Sequence, residues 1–275
     1  MCIRDRVSEP QYITAISSDG YTLGAGANVA NYNGTGGTYV DWLWRGSDSS
    51  AVSNTDGTIT STVSANTTSG FSVVTFTGTG ATGTVGHGLS QAPELYIRKS
   101  RSNAENWFVY TTVIDGSLDY LQLNLTNAKL NSGASLPNAS TFEVGAGEAN
   151  GETLVTYCFH SVEGFSKIGT YTGNGSADGP FVYTGFRPAW ILVKCSSTAG
   201  NNWWVLDAKR NMYNLADLAL LPNSSSSELN NSTYFWADFL SNGFKLRSTG
   251  QSNTNAATYI FMAFAENPFK VSLAR

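Results

Sequence analysis

Short runs of alternating apolar and polar residues recur along the chain. In Thr38–Trp44, Val40, Trp42 and Trp44 fall on one face of an extended segment, with Tyr39, Asp41 and Leu43 on the other. The pattern returns at Thr153–Phe159, where Val155, Tyr157 and Phe159 take the inward positions, and at Thr258–Phe264, where Ile260, Met262 and Phe264 do. Leu95-Tyr96-Ile97-Arg98-Lys99 and Trp190-Ile191-Leu192-Val193-Lys194 read as further strands. Each follows a proline (Pro93, Pro188), which fits at the start of a strand where its missing N–H does least harm. Gly, Asn and Ser clusters of turn type lie between the runs. The pattern predicts an all-β chain of antiparallel β-sandwich units, jelly-roll-like, in tandem.

The tandem reading comes from internal similarity. Gly70-Phe71-Ser72 recurs as Gly164-Phe165-Ser166, Thr77-Gly78-Thr79-Gly80 as Thr172-Gly173-Asn174-Gly175, and Asn106-Trp107 as Asn202-Trp203. Lys99 and Lys194 fall at matching strand ends. Upstream of the three closing strands lie Tyr21-Thr22-Leu23, Phe142-Glu143-Val144 and Phe244-Lys245-Leu246, also in register. The expected organisation is therefore two full repeats, 70–163 and 164–275, preceded by a Ser/Thr-rich connector, 47–69, in which Thr55–Thr58 can turn a hairpin. Residues 7–46 read as the C-terminal remnant of an earlier repeat, too short to close a sandwich and expected to pack on a neighbour. Residues 1–6 do not match the rest of the chain and lack the apolar core of a signal peptide. They read as a non-native start of the kind metagenome assemblies produce.

Composition narrows the functional classes. Only 13% of the 275 residues are charged and the net charge is −4, which argues against a nucleic-acid partner. No apolar run approaches the ~18 residues of a membrane helix, so no membrane insertion is expected. Ser, Thr, Asn and Gly make up 41% of the chain and aromatics 12%, so the polar excess belongs to turns between aromatic strands rather than to a disordered chain. Three cysteines, Cys2, Cys158 and Cys195, do not make a disulfide framework. Cys158 and Cys195 read as buried thiols, with a bridge between them left open.

Candidate chemistry is sparse. His87 and His160 lack repeat counterparts and read as hydrogen-bonded structural residues. Asp115 and Asp207 follow Trp-rich strands but differ in offset from Trp107 and Trp203, so no pair of acids repeats and no catalytic residue is assigned. There is no zinc spacing, P-loop or dinucleotide fingerprint, hence no metal and no cofactor. The turn Thr172–Gly179 lacks the acidic ladder of a Ca²⁺ loop. Lys99 and Lys194 read as lysines snorkelling over neighbouring aromatics. Trp107 and Trp203 repeat and read as core. Trp204 and Trp236 lack counterparts and are the candidate ligand-binding residues, as exposed rings that stack on sugars.

Phe165-Ser166-Lys167-Ile168-Gly169-Thr170-Tyr171-Thr172-Gly173-Asn174-Gly175, the segment Gly179–Trp190 and the ending Tyr259–Phe269 resemble a repeat family of tailed, often marine, phages. The resemblance covers most of residues 11–275. Its members look like virion structural or tail-fibre-type proteins, often with a concanavalin-like SPRY domain ahead of the repeats. The resemblance implies a non-enzymatic virion component of fibre, appendage or decoration type. Its partners would be other virion proteins or itself, and its location the particle. A carbohydrate-binding module or adhesin for host surface glycans is the alternative, and a glycoside hydrolase ranks below both.

Overall fold

The computed structural model describes residues 13–17, 20–24, 33–230 and 235–268; residues 1–6, with Cys2, lie outside this set. The chain is all-β. A short hairpin joins β1 (Ile13–Ile16) to β2 (Tyr21–Leu23), and a second joins β3 (Val52–Asn54) to β4 (Ser61–Asn66). The first repeat contains β5 (Phe71–Thr77), β6 (Gly83–Gly86), β7 (Leu95–Ser100), β8 (Phe108–Thr111), β9 (Asp119–Gln122), β10 (Leu130–Asn131), β11 (Thr141–Val144) and β12 (Thr153–Phe159). The second contains β13 (Ser166–Thr172), β14 (Phe181–Tyr183), β15 (Pro188–Cys195), β16 (Trp203–Asp207), β17 (Leu218–Ala219), β18 (Leu229–Asn230), β19 (Ala237–Leu240), β20 (Gly243–Leu246) and β21 (Thr258–Ala265).

Each repeat is a large sheet facing a small one. The first large sheet runs β10-β9-β8-β7-β12-β5-β4-β3, so the connector hairpin extends it past β5. The second runs β13-β21-β15-β16, and Leu220, just after β17, is bridged to Val205 of β16. Strands β7 to β10 form a meander, and the last strand of each repeat, β12 or β21, sits between the first and third. The small sheets are β11-β6 and β14-β20-β19.

Strand alternation sends neighbouring side chains into different cores. Val74, Phe76, Tyr96, Phe142 and Cys158 fill the first repeat's own core. Ile191, Val193, Trp204, Phe239, Phe244 and Phe261 fill the second's. The opposite faces of the two large sheets meet each other: Leu95, Val109 and Phe159 pack in one cluster with Leu192, Trp203, Ile260 and Met262. The layers are small, large, large, small. The expected inward face, Val155 to Phe159 and Ile260 to Phe264, is thus the face between the repeats, and the other face of each large sheet is buried as well. This explains why Trp190–Val193 is apolar without alternation.

The Thr-Gly-x-Gly motif has the same cause in both repeats. A Cβ on Gly78 would come within 2.6 Å of the Ala149 carbonyl oxygen, and one on Gly173 within 2.3 Å of that of Thr254. The second glycines, Gly80 and Gly175, have φ of +71° and +67°, a region that disfavours other residues.

Thr38–Trp44 joins no sheet, against the expectation of a strand. The alternation still holds: Val40, Trp42 and Trp44 are half-buried while Tyr39, Asp41 and Leu43 are exposed. Trp42 and Trp44 pack against the inter-repeat core, their rings 6.1 and 5.4 Å from that of Trp190.

Candidate functional site

The two repeats differ in how their outer cores are covered. In the second, the chain between β17 and β20 supplies β19, which pairs with β20 and is bridged to Ala216. Phe235, just before β19, packs its ring 5.9 Å from that of Trp204. In the first repeat the segment between β9 and β11 is shorter and adds no strand to the small sheet. The outer ends of β7, β8 and β9 therefore stay open, and a cavity of about 560 Å³ lies there.

Aromatic rings form its floor. Tyr96 and Tyr110 stack at 4.8 Å, and Phe108 and Tyr110 lie 5.7 and 6.0 Å from Tyr120. Period two on β8 turns Phe108 and Tyr110 to this face and Val109 to the inter-repeat core. Arg98 lies under the cavity, 3% exposed, with its guanidinium carbon 4.9 Å from the Tyr110 ring centre. It is paired with Glu148 and donates to the Glu143 carbonyl oxygen at 3.2 Å. Two polar atoms beneath the cavity floor, Tyr96 Oη and Arg98 Nε, are buried and have no hydrogen-bond partner among the described residues. Such groups cost about 1–3 kcal/mol when nothing satisfies them. At the rim, desolvation and then the charges of Glu152 and Glu148 push the Glu105 carboxyl up. Burial likewise raises the Tyr110 phenol.

The residues singled out from sequence lie elsewhere. Trp204 is 2% exposed inside the second repeat's core, so it offers no face to a sugar. Its register counterpart is Phe108, which lines the open cavity. Trp236 is half-buried beside β19 and does not line the cavity. Trp203 is buried and donates from its indole nitrogen to the Gln122 carbonyl oxygen across the repeats at 2.9 Å. The lysines do not snorkel. Lys194 has no exposed surface and donates to the carbonyl oxygens of Asn201 (2.8 Å) and Thr126 (3.3 Å), and burial lowers its pKa to about 8. Lys99, 5% exposed, donates to the Asn103 carbonyl oxygen.

His87 is fully buried. The Leu89 amide donates to Nδ1, so Nε2 carries the proton and donates to the Asn138 carbonyl oxygen at 3.0 Å. His160 hydrogen-bonds the Ser161 carbonyl oxygen through Nδ1. Asp207 accepts from the Lys209 and Arg210 amides and pairs with the Arg210 side chain, while Asp115 pairs with Lys129. Cys158 and Cys195 are unbridged and lie in separate cores, and burial pushes the Cys158 thiol up to about 12. The turn Thr172–Gly179 is closed by side-chain amides: Asn253 donates to Asn174 Oδ1 and to the Ser176 carbonyl oxygen. Among the described residues no cluster of three or more His, Cys, Asp or Glu side chains could hold a metal ion.

A family model described as a domain of unknown function, DUF7483, matches residues 4–268. The chain belongs to the DUF7483 family. The match spans the N-terminal segment, the connector and both repeats, so a DUF7483 domain here includes the residues that carry Trp42 and Trp44. No curated protein and no solved structure matches the chain. Among the described residues of this DUF7483 chain, no helix is long and apolar enough to cross a membrane.

Proposed function

We propose that this DUF7483 chain is a non-catalytic structural module of a phage particle, of fibre or appendage type, and that the open cavity of its first repeat binds a host-surface saccharide. The cavity carries the binding half of this reading: aromatic rings bordered by polar side chains such as Asn106 and Ser132 suit a ligand with apolar ring faces and hydroxyls. The resemblance of the repeats to phage structural proteins supports the particle half, together with the shared core that makes the two repeats one stiff body. The non-catalytic part rests on the cavity's acids. Of the cavity's three acids, Glu148 is tied to Arg98 and Glu143 accepts from the Ser135 amide, which leaves Glu105 alone at the rim where glycoside hydrolysis uses a pair.

Calorimetry against a panel of surface polysaccharides and their oligomers tests the binding. The expected result is a ligand whose affinity falls at least tenfold in Phe108→Ala and Tyr110→Ala and is unchanged in Trp236→Ala. Binding indifferent to the cavity variants, or none at millimolar saccharide, overturns it. New reducing ends would overturn the non-catalytic reading, and mass spectrometry of purified source particles lacking the chain would overturn the structural one.

A further inference from the structure

The rings of Trp44, Phe159 and Phe264 meet in a near-equilateral triangle, with centroids 6.3 Å (Trp44–Phe159), 5.5 Å (Trp44–Phe264) and 6.3 Å (Phe159–Phe264) apart. These three residues hold the same position in the three closing segments, Thr38–Trp44, Thr153–Phe159 and Thr258–Phe264. Equivalent residues of three units converge on one point when the units surround a common axis. Two repeats packed face to face about a twofold would bring only two together.

The contacts between the repeats agree. They are head-to-tail: the segment after β9 in the first repeat docks on the β15–β16 turn of the second, through Lys129 N–H to the Ser196 carbonyl oxygen (2.8 Å) and Gly200 N–H to that of Thr126 (2.9 Å). Unlike surfaces meeting in this way close into a ring when the rotation permits. Both unused halves of the same contact face solvent: residues 101–105 in the β7–β8 turn of the first repeat, and 224–228 in the β17–β18 connection of the second. The N-terminal hairpin matches part of a third unit as well. Ile16 pairs with Tyr21 in β1–β2 as Phe239 pairs with Phe244 in β19–β20, and Tyr21 and Phe244 are repeat equivalents. A cavity of about 480 Å³, bordered by Trp42, Trp44, Phe71, Phe165, Trp190 and Phe264, lies where Thr38–Trp44 meets the two repeats.

We infer that the inter-repeat face is a pseudo-threefold junction, and that its third seat is built to take a further unit of the same repeat type, whose hairpin and closing segment are β1–β2 and Thr38–Trp44. The occupant is a sheet presenting Leu, Trp and Val at the register of Leu192, Trp203 and Val205. This inference does not rest on the saccharide reading, although Ala104 and Glu105 border both surfaces.

The test inserts a copy of residues 164–234 between Pro10 and Gln11 of the full chain, supplying the counterparts of β13 to β18. The expected result is one cooperative thermal transition at a higher midpoint. Amide exchange across Thr38–Trp44 should slow at least a hundredfold, and tryptophan emission should shift to the blue. An inserted unit that melts separately, with Thr38–Trp44 exchanging as before, overturns the inference. A second measurement stands if the inserted unit does not fold. In the natural chain, the midpoint shifts of Trp44→Ala combined with Phe159→Ala, and of Trp44→Ala combined with Phe264→Ala, should both be non-additive, with Trp44→Phe tolerated. Additivity in either pair overturns the junction, and so does a micromolar dimer of the unmodified chain that buries Trp42 and Trp44.

Discussion

The two repeats share a ladder, strand for strand, and differ over one side of it. In the second, β19 and Phe235 cover the outer face of β16, and the residues beneath are apolar: Val193, Trp204 and Leu206. In the first, the same register holds Arg98, Phe108 and Tyr110, and no strand among the described residues covers them. A duplicated scaffold thus keeps the face it needs for assembly and varies the other. Where the roof is present the ladder stores stability; where it is absent, polar groups are held beneath half-exposed rings, an arrangement that costs stability and suits binding.

The sharpest way to break this contrast is to truncate both members of one register pair. Trp204→Ala should cost about 4 kcal/mol in urea unfolding, because it opens a cavity in a closed core. Phe108→Ala, half-buried at an open mouth, should cost about 1 kcal/mol. Equal costs would mean that the first repeat is covered too. Next in size, Arg98→Val, which installs the second repeat's residue, should cost about 3 kcal/mol because Glu148 is left without its partner. Arg98→Val with Glu148→Ala should recover most of that loss. No recovery would show that Arg98 acts chiefly through its stacking on Tyr110.

The smallest effect is a pH dependence confined to the second repeat. Lys194 is lowered to about 8 from its ordinary 10.5, so between these values the unfolded chain holds a proton that the folded chain has released. Stability from this group therefore rises with pH across about 8 to 10.5, by at most ~1.4 kcal/mol per pH unit. Wild type minus Lys194→Met, followed by urea midpoints from pH 7.5 to 10.5, should show that rise. A flat difference would mean that the two carbonyl acceptors hold Lys194 charged throughout.

Much of the architecture was legible in the sequence, because period two and repeat register are local properties of the chain. Alternation placed Val40, Trp42 and Trp44 on one side even though that segment joins no sheet. The register of Gly78 with Gly173, and of Lys99 with Lys194, identified matching turns and strand ends. What remained hidden depends on which layers meet. Sequence alone cannot show that both faces of a large sheet are buried, so Lys194 looked like a surface lysine and Trp204 like a surface ring. The cavity was hidden for the same reason. Nothing in Phe108 or Tyr110 marks them as open; the signal is the shorter stretch between β9 and β11, which can be read only against its longer counterpart in the second repeat.

The position of each closing strand has a consequence for how the protein is made. β12 and β21 are the last strands of their repeats and lie in the middle of their large sheets, bonded on both sides. As the chain emerges from the ribosome, β7 to β9 can fold back on one another as a meander, but β5, paired with β4 on one side, waits about 80 residues for β12 on the other. Neither large sheet can close until its final strand has been synthesised, so each repeat is completed in one late step, and contacts of such sequence separation form slowly.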